Sequence, residues 1–247
     1  MPMRLTSMLR SLGLLAALGL AAPASAQDVE LELVLLADAS GSIDRSETQF
    51  QREGYAAAMT SDAVLDAISK TAYGVIAVTY VEWASAGEED VVVPWMLVDG
   101  PESAASFAEA LLAPPRRAFG RNAIGSALLT GMALIQNNEY EGWRKVIDFS
   151  GDSANSWNGP PVDAARAEVL AAGITINGLA ILCRSCNGRP ASSDLERQYR
   201  ERIIGGPGAF VVTAESRDTF AMAVRRKLIL EIGGIHGGTT FAGDIPR

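Results

Sequence analysis

Apolar and polar positions follow two patterns along the chain. Short, nearly continuous apolar segments alternate with longer segments in which apolar residues repeat at the 3.6-residue period of a helix. The expected strands are 29–36, 72–81, 90–97, 146–150, 174–182 and 209–213. The expected helices are 44–58, 103–112, 123–136, 161–172, 193–204 and 216–232.

The order of these elements predicts the fold class. Alternating strands and helices favour an α/β fold, with a doubly wound, mainly parallel six-stranded sheet that carries helices on both faces. The turn Gly87-Glu88-Glu89 is short, so the second and third strands are expected to form a hairpin and give one antiparallel edge strand. Functional sites in such sheets lie beyond the carboxyl ends of strands, where the strand order reverses.

The first 26 residues have the features of a secretory signal peptide. Arg4 and Arg10 precede an apolar stretch at 12–22. Ala24-Ser25-Ala26 follows it and has the small-x-small spacing of a cleavage site. The apolar stretch has 11 residues, fewer than the roughly 20 that a membrane-spanning helix needs. We therefore expect a secreted, periplasmic protein that begins at Gln27 and does not span the membrane.

The charge of the mature chain is strongly negative. Residues 1–26 hold two of the 21 Lys and Arg residues and no acidic residue, so 19 basic and 29 acidic residues remain, with a formal charge of −10. This balance argues against nucleic acid as a partner. The length suits one core, and we expect a single domain over 27–232 followed by a Gly-rich tail at 233–247.

The two cysteines, Cys183 and Cys186, stand close together in a chain expected to enter an oxidising compartment. A local disulfide is the favoured interpretation. A redox site remains an alternative, but it requires a lowered thiolate pKa that the sequence does not reveal. A zinc site would need further ligands, and the single histidine, His236, lies in the tail.

Oxygen-bearing side chains follow three of the expected elements. Asp38-Ala39-Ser40-Gly41-Ser42 ends the first strand, and Gly151-Asp152-Ser153 follows strand 146–150. The loop Gly120-Arg121-Asn122 opens a helix and offers an amide oxygen. Carboxylate, hydroxyl and amide oxygens are ligands for hard cations, although the first motif alone is also compatible with a strand-end turn and a serine cap.

These motifs resemble the von Willebrand factor A family and its metal-ion-dependent adhesion site. That site combines Asp-x-Ser-x-Ser with a Thr in a Gly-x-Thr loop and a later Asp. Asp38, Ser40 and Ser42 match the first motif and Asp152 matches the last, whereas Asn122 stands where the family has Thr. The resemblance extends in element order over 30–232, and the segments 150–152 and 205–210 resemble an uncharacterised, secreted bacterial branch of the family.

The resemblance implies a role for each matching residue. Ser40 and Ser42 would bind a metal directly, Asp38 and Asp152 would hold its water molecules, and the Asn122 oxygen would replace that of Thr. A coordination position would stay open for a carboxylate of a protein partner. Mg²⁺ is the preferred cation because it is small and retains several waters, with Ca²⁺ and Mn²⁺ as alternatives.

Three functions are compatible with this site. The first is a protein-binding module without enzymatic activity. The second is a metal-dependent hydrolase that uses Asp38 and Asp152, against which stands the lack of a candidate general base. The third is a scaffold in which the metal only stabilises the fold.

Two further residues have open interpretations. Asp148 lies on the same strand face as Asp152 but roughly 13 Å deeper, so we expect a buried carboxylate satisfied by hydrogen bonds, with Asn177 as a candidate partner. Trp157, in the polar loop after Asp152, is either an exposed anchor for a partner beside the metal or a residue folded back on the core.

Overall fold

The computed structural model describes residues 26–182 and 194–234. Its strands are β1 (Gln27–Asp38), β2 (Ile76–Trp83), β3 (Asp90–Val98), β4 (Tyr140–Gly151), β5 (Thr175–Ile181) and β6 (Val211–Ala214). Its helices are α1 (Arg45–Met59), α2 (Asp62–Ser69), α3 (Pro101–Leu112), α4 (Ile124–Gln136), α5 (Val162–Ala171), α6 (Leu195–Arg202) and α7 (Arg217–Gly233).

The six strands form one sheet in the order β3-β2-β1-β4-β5-β6. β1 pairs in parallel with β2 and β4, and β5 and β6 continue the parallel sheet. β3 forms the antiparallel edge through its hairpin with β2. The predicted fold class is therefore confirmed, and the strand order reverses beside β1, between β1 and β4.

Two apolar cores lie on opposite faces of the sheet. One packs under α1, α2, α3 and α7, and the other under α4, α5 and α6. Successive residues of β1 serve the two faces, because Leu33 and Leu35 belong to the first core whereas Val34 and Leu36 belong to the second. Burial on both faces explains why β1 is almost continuously apolar.

The entry into α1 is a capping box formed by Asp44 and Glu47. The Glu47 backbone N–H donates to Asp44 Oδ1 at 2.8 Å, and the Asp44 N–H donates to Glu47 Oε2 at 2.8 Å. This reciprocal pair satisfies two backbone donors that the first helical turn leaves unpaired. The helix therefore starts at a fixed point directly after the Asp38–Ser42 segment.

Some element boundaries differ from those predicted. α2 was not expected, because it has only eight residues and buries only Val64 and Ile68. β4 begins at Tyr140 instead of residue 146, since its polar first half still pairs with the start of β1. β2 begins at Ile76 instead of residue 72, after a turn in which Gly74 has a φ of 65°.

Several predictions concern residues outside those that the structure describes. They are the signal peptide before residue 26, the disulfide between Cys183 and Cys186, and the tail with His236. Within residues 26–182 and 194–234, no helix is long and apolar enough to cross a membrane.

Candidate metal site

The first motif forms a tight turn at the carboxyl end of β1. Asp38 is the last residue of the strand, and its Oδ1 accepts the backbone N–H of Ser40 at 2.8 Å. The Ser40 and Ser42 hydroxyl oxygens lie 3.2 Å apart. A carboxylate and two hydroxyls are therefore concentrated within five residues before α1 begins.

Three loops meet at this turn, as the sequence predicted. The Ser42 hydroxyl donates to Asp152 Oδ1 at 3.0 Å, although the two residues are 110 positions apart. The Gly41 N–H donates to the Gly120 carbonyl at 2.6 Å. Asn122 is buried, and its backbone carbonyl accepts the Trp157 N–H at 2.7 Å, which joins the second loop to the third.

Two glycines make this close approach of the loops possible. A Cβ atom on Gly151 would lie 2.9 Å from Asp38 Oδ2, so the end of β4 can approach the carboxylate only without a side chain. Gly120 has a φ of 116°, a conformation that favours glycine. A Cβ there would also lie 2.2 Å from the Ser85 hydroxyl oxygen.

The Asp38 carboxylate is buried and forms no ion pair with any residue that the structure describes, although the charge of Arg116 acts on it from a longer distance. Its side chain is 1% exposed, and Oδ2 has no hydrogen-bond partner among the described residues. Burial raises the pKa of Asp38 to about 7 and the negative charge of Asp152 adds to the rise, whereas hydrogen bonds from Ser40 and from the Asp152 backbone oppose it. Within the described part of the chain, no Lys or Arg nitrogen lies within ion-pair distance of this carboxylate.

These donors fit a small, hard divalent cation. The orphaned Asp38 oxygen, the two serine hydroxyls and the Asp152 carboxylate are all oxygen ligands of the kind that Mg²⁺ prefers. No group of three or more His, Cys, Asp or Glu side chains suited to a metal occurs among the described residues. The donor set is thus of mixed carboxylate and hydroxyl type.

Glu47 is a further carboxylate near the site, in addition to its role in capping α1. It is buried, and its Oε1 has no hydrogen-bond partner among the described residues. Burial raises the pKa of Glu47, the Asp44 N–H opposes this, and the charges of Asp44 and Asp152 raise it further. Its charge adds to the negative potential around Asp152.

Arg116 is a positioning residue that sequence reasoning missed. Its guanidinium donates to the carbonyl oxygens of Ala39, Ser40 and Ile43, and also to that of Ala118. Burial lowers the pKa of Arg116, and the charges of Glu82 and Asp38 oppose this change. The side chain fixes the backbone of the Asp38–Ser42 turn, although Arg116 is more than 70 positions away in the sequence. No local sequence motif marks Arg116 for this role.

Trp157 is exposed and is not folded back on the core, and its role as an anchor for a partner stays a prediction. Its side chain is 62% accessible to solvent, and the Arg121 guanidinium carbon lies 4.2 Å from the ring centroid. Trp157 therefore lies at the surface of the third loop, where its ring contacts Arg121 of the second loop.

Asp148 is buried as predicted, but its partner differs. Lys227 Nζ lies 2.7 Å from Asp148 Oδ1 and 2.5 Å from Glu231 Oε1, and all three side chains are buried. The Asn177 amide donates to Glu231 Oε1 at 3.1 Å instead of to Asp148. The expected hydrogen bond between Asp148 and Asn177 is absent from the described residues. Asp148 instead forms an ion pair with Lys227 on α7, and neither of its carboxylate oxygens has a hydrogen-bond partner there.

Comparison with known proteins agrees with the fold and the motifs. A family model described as "Protein of unknown function (DUF1194)" matches residues 28–236. The chain belongs to this family. A comparison with curated proteins gives no match. The predicted resemblance to an uncharacterised domain-of-unknown-function group is consistent with this membership.

Solved structures similar to this member of the family have the von Willebrand factor A fold. A von Willebrand factor type A protein from Catenulispora acidiphila has a TM-score of 0.54 and 20% identity, over 83% of this chain and 43% of that one. Proximal thread matrix protein 1 from the mussel byssus, with a zinc-occupied MIDAS motif, has a TM-score of 0.56 and 17% identity, over 85% and 50%.

The pilus adhesin SpaC from Lactobacillus rhamnosus GG has a TM-score of 0.57 and 14% identity. The match covers 84% of this chain and 31% of the adhesin, so the chain spans about a third of that protein. At these identities the similarities establish the fold, and the predicted resemblance to von Willebrand factor A domains is confirmed at that level.

Proposed function

We propose that this protein binds a protein partner through a divalent metal held by Asp38, Ser40, Ser42 and Asp152, with Asn122 as an additional ligand. The observation that carries the proposal is the buried Asp38 carboxylate, whose Oδ2 has no partner in the described residues and whose pKa is raised by burial and by Asp152. An unpaired buried charge is costly, and a bound cation would compensate it.

Each residue of the site would have a distinct task. The hydroxyls of Ser40 and Ser42 lie closest together and are the candidate direct ligands. Asp38 and Asp152 would balance the charge and orient metal-bound water, and Arg116 holds the turn in shape from outside. When bound, the metal supplies an electrophilic position that a partner's carboxylate can occupy. Mg²⁺ is the proposed cation, with Ca²⁺ and Mn²⁺ as alternatives.

The similar structures support a binding role and an extracytoplasmic location. One of them is a pilus adhesin, and another has zinc in its MIDAS motif. Together with the N-terminal segment, these similarities support export to the periplasm. We propose no enzymatic activity, because the two carboxylates of the described site, which could otherwise act as general bases, are assigned to the metal.

The proposal is tested by capture of partners from a periplasmic extract on the immobilised mature chain, in Mg²⁺ and then in EDTA. We expect a defined protein to be retained in Mg²⁺ and released by EDTA, and to be lost on Asp152→Ala. The matched control is Glu168→Ala, which removes an exposed carboxylate from α5. Retention that is unaffected by EDTA would support a purely structural metal, and turnover of generic esters or phosphates that requires Mg²⁺ would support the hydrolase.

A further inference from the structure

Two arginines of the loop that follows α3 each lie over an aromatic ring. The Arg116 guanidinium carbon is 5.0 Å from the centroid of Phe119, and that of Arg121 is 4.2 Å from the centroid of Trp157. Both rings are more than half exposed. The two pairs are alike in composition and lie beside the same site, but their guanidinium groups have different partners.

The Arg116 guanidinium is fully used inside the protein, where it donates to carbonyl oxygens such as those of Ala39 and Ile43. The Arg121 guanidinium makes no hydrogen bond or ion pair with any residue that the structure describes, and only the Arg121 backbone N–H is used, in a 2.9 Å bond to the Ser85 hydroxyl. Its N–H donors are therefore available to a group outside the chain.

The backbone holds Arg121 next to the candidate metal site. The preceding residue, Gly120, accepts the Gly41 N–H from the Asp38–Ser42 turn, and the following residue, Asn122, accepts the Trp157 N–H. Stacking on an indole ring restrains a guanidinium while its N–H edge remains able to bind a carboxylate in a bidentate manner. Arg121 thus belongs to the second of the three loops, and its guanidinium is restrained by contact with Trp157 of the third.

We propose that Arg121, stacked on Trp157, binds a second carboxylate of the partner, so that the recognised segment carries two acidic residues. This inference rests on the proposed function, in which the first carboxylate completes the metal coordination. The two acidic residues lie a few positions apart, because Arg121 immediately precedes Asn122. A long polyanion is a poorer match, since Glu88 and Glu89 follow β2 at the same end of the sheet.

The test is a selection from a random dodecapeptide display library on the immobilised full mature chain, with binding in Mg²⁺ and elution by EDTA. We expect wild-type protein to enrich peptides with two acidic residues at a constant short spacing. Arg121→Gln is expected to enrich peptides with a single defined acidic position. Arg117→Gln is the matched control, because it removes a largely exposed arginine from the same loop, one that reaches Asp90 only at 3.9 Å.

A defined peptide from this selection then gives a quantitative measurement. Changing its second acidic residue to the corresponding amide should weaken binding to wild-type protein about tenfold or more, the effect of losing a charge-assisted hydrogen bond. The same change should leave binding to Arg121→Gln unaltered, since the partner of that carboxylate is already missing. Mg²⁺ affinity should be equal in the two proteins.

Different failures separate the two proposals. The role of Arg121 would be overturned if wild-type protein enriched, in an EDTA-dependent manner, peptides with only one acidic position. It would also be overturned if the amide substitution in the peptide weakened binding equally to wild type and to Arg121→Gln. Both results would leave the metal-dependent binding intact. Enrichment that does not depend on Mg²⁺ would contradict the proposed function itself, and the role of Arg121 with it.

Discussion

Two buried carboxylates, Asp38 and Asp148, lie on neighbouring strands, and each is 1% exposed. Asp148 has a positive partner within the chain, since Lys227 Nζ is 2.7 Å away and also pairs with Glu231. Asp38 has backbone and hydroxyl neighbours, with a second carboxylate, Asp152, close by. Burial raises the pKa of both aspartates.

The difference between them separates a structural charge from a functional one. A chain that can place a lysine against Asp148 can compensate a buried aspartate internally, and it does not do so at Asp38 in the part that the structure describes. Asp38 also lies at the carboxyl end of β1, beside the reversal of strand order where α/β sheets place their ligands. We therefore expect the compensating charge at Asp38 to come from a bound cation.

The largest expected effect comes from removing the internal cation. Lys227→Met should lower the free energy of unfolding by about 3–5 kcal/mol, because it leaves Asp148 and Glu231 buried without a counter-charge. Urea denaturation measures this loss. Adding Asp148→Asn and Glu231→Gln to the variant should restore most of the stability. A Lys227→Met protein as stable as wild type would show that the surroundings of Asp148 and Asp38 do not differ as described.

Neutralising the other carboxylate, Asp38, should change the free energy of unfolding in the opposite direction. In metal-free protein, Asp38→Asn should raise the free energy of unfolding by about 1–2 kcal/mol, because it removes a buried charge that has no ion pair among the described residues. At a Mg²⁺ concentration of about 100 times the dissociation constant, wild type should gain about 2.7 kcal/mol and the variant nothing. Equal stabilisation of both proteins by Mg²⁺ would exclude Asp38 from the site.

The pH dependence of stability provides a finer comparison. The pKa of Asp38 in the folded state is raised from 3.8 to about 7, so the folded protein binds this proton more tightly than the unfolded chain. Its contribution to stability is present below about pH 4 and is lost as the pH rises towards 7. Wild type should therefore lose stability relative to Asp38→Asn over this range in urea titrations without metal.

Magnesium should distinguish the two regions in the same experiment. The pKa of Glu231 is also raised to about 7, first by burial, with Lys227 opposing the rise. Mg²⁺ should abolish the pH-dependent difference between wild type and Asp38→Asn, because the cation replaces the proton. It should leave the corresponding difference between wild type and Glu231→Gln unchanged, and a change there would mean that the metal acts outside the three loops.

The smallest predicted effect concerns position 122. If the Asn122 oxygen replaces that of the family's Thr, Asn122→Ala should weaken Mg²⁺ binding about tenfold, while Asn122→Thr should preserve or tighten it. Calorimetric titration of both variants measures this. Unchanged affinity in Asn122→Ala would remove only this residue from the site.

The parts of the site that could be predicted from sequence are those encoded locally. Asp38, Ser40 and Ser42 lie within five residues, and the order of strands and helices places Asp152 and Asn122 at the same edge of the sheet. Arg116 could not be found in this way, because its contacts with Ile43 and Ala39 join residues 73 and 77 positions apart without a recurring motif.

The same limit applies to the fold. The central apolar strands and the hairpin were predicted correctly because burial determines their composition. The first half of β4 is polar and was missed, since it is defined by pairing with Gln27 and its neighbours and not by burial. The partner of Asp148 was wrong for a related reason: Lys227 lies on a helix whose position over the sheet cannot be inferred from its sequence.

The central claim is that three separated loops form one metal site, and titration of Mg²⁺ into metal-free Asp152→Ala tests it most directly. Asp152 contacts the first motif through Ser42, 110 positions away in the sequence, and its charge would offset that of the cation. Calorimetry should show stoichiometric binding to wild type and to Asp148→Asn but none to Asp152→Ala. Wild-type affinity for Mg²⁺ in Asp152→Ala would contradict the account.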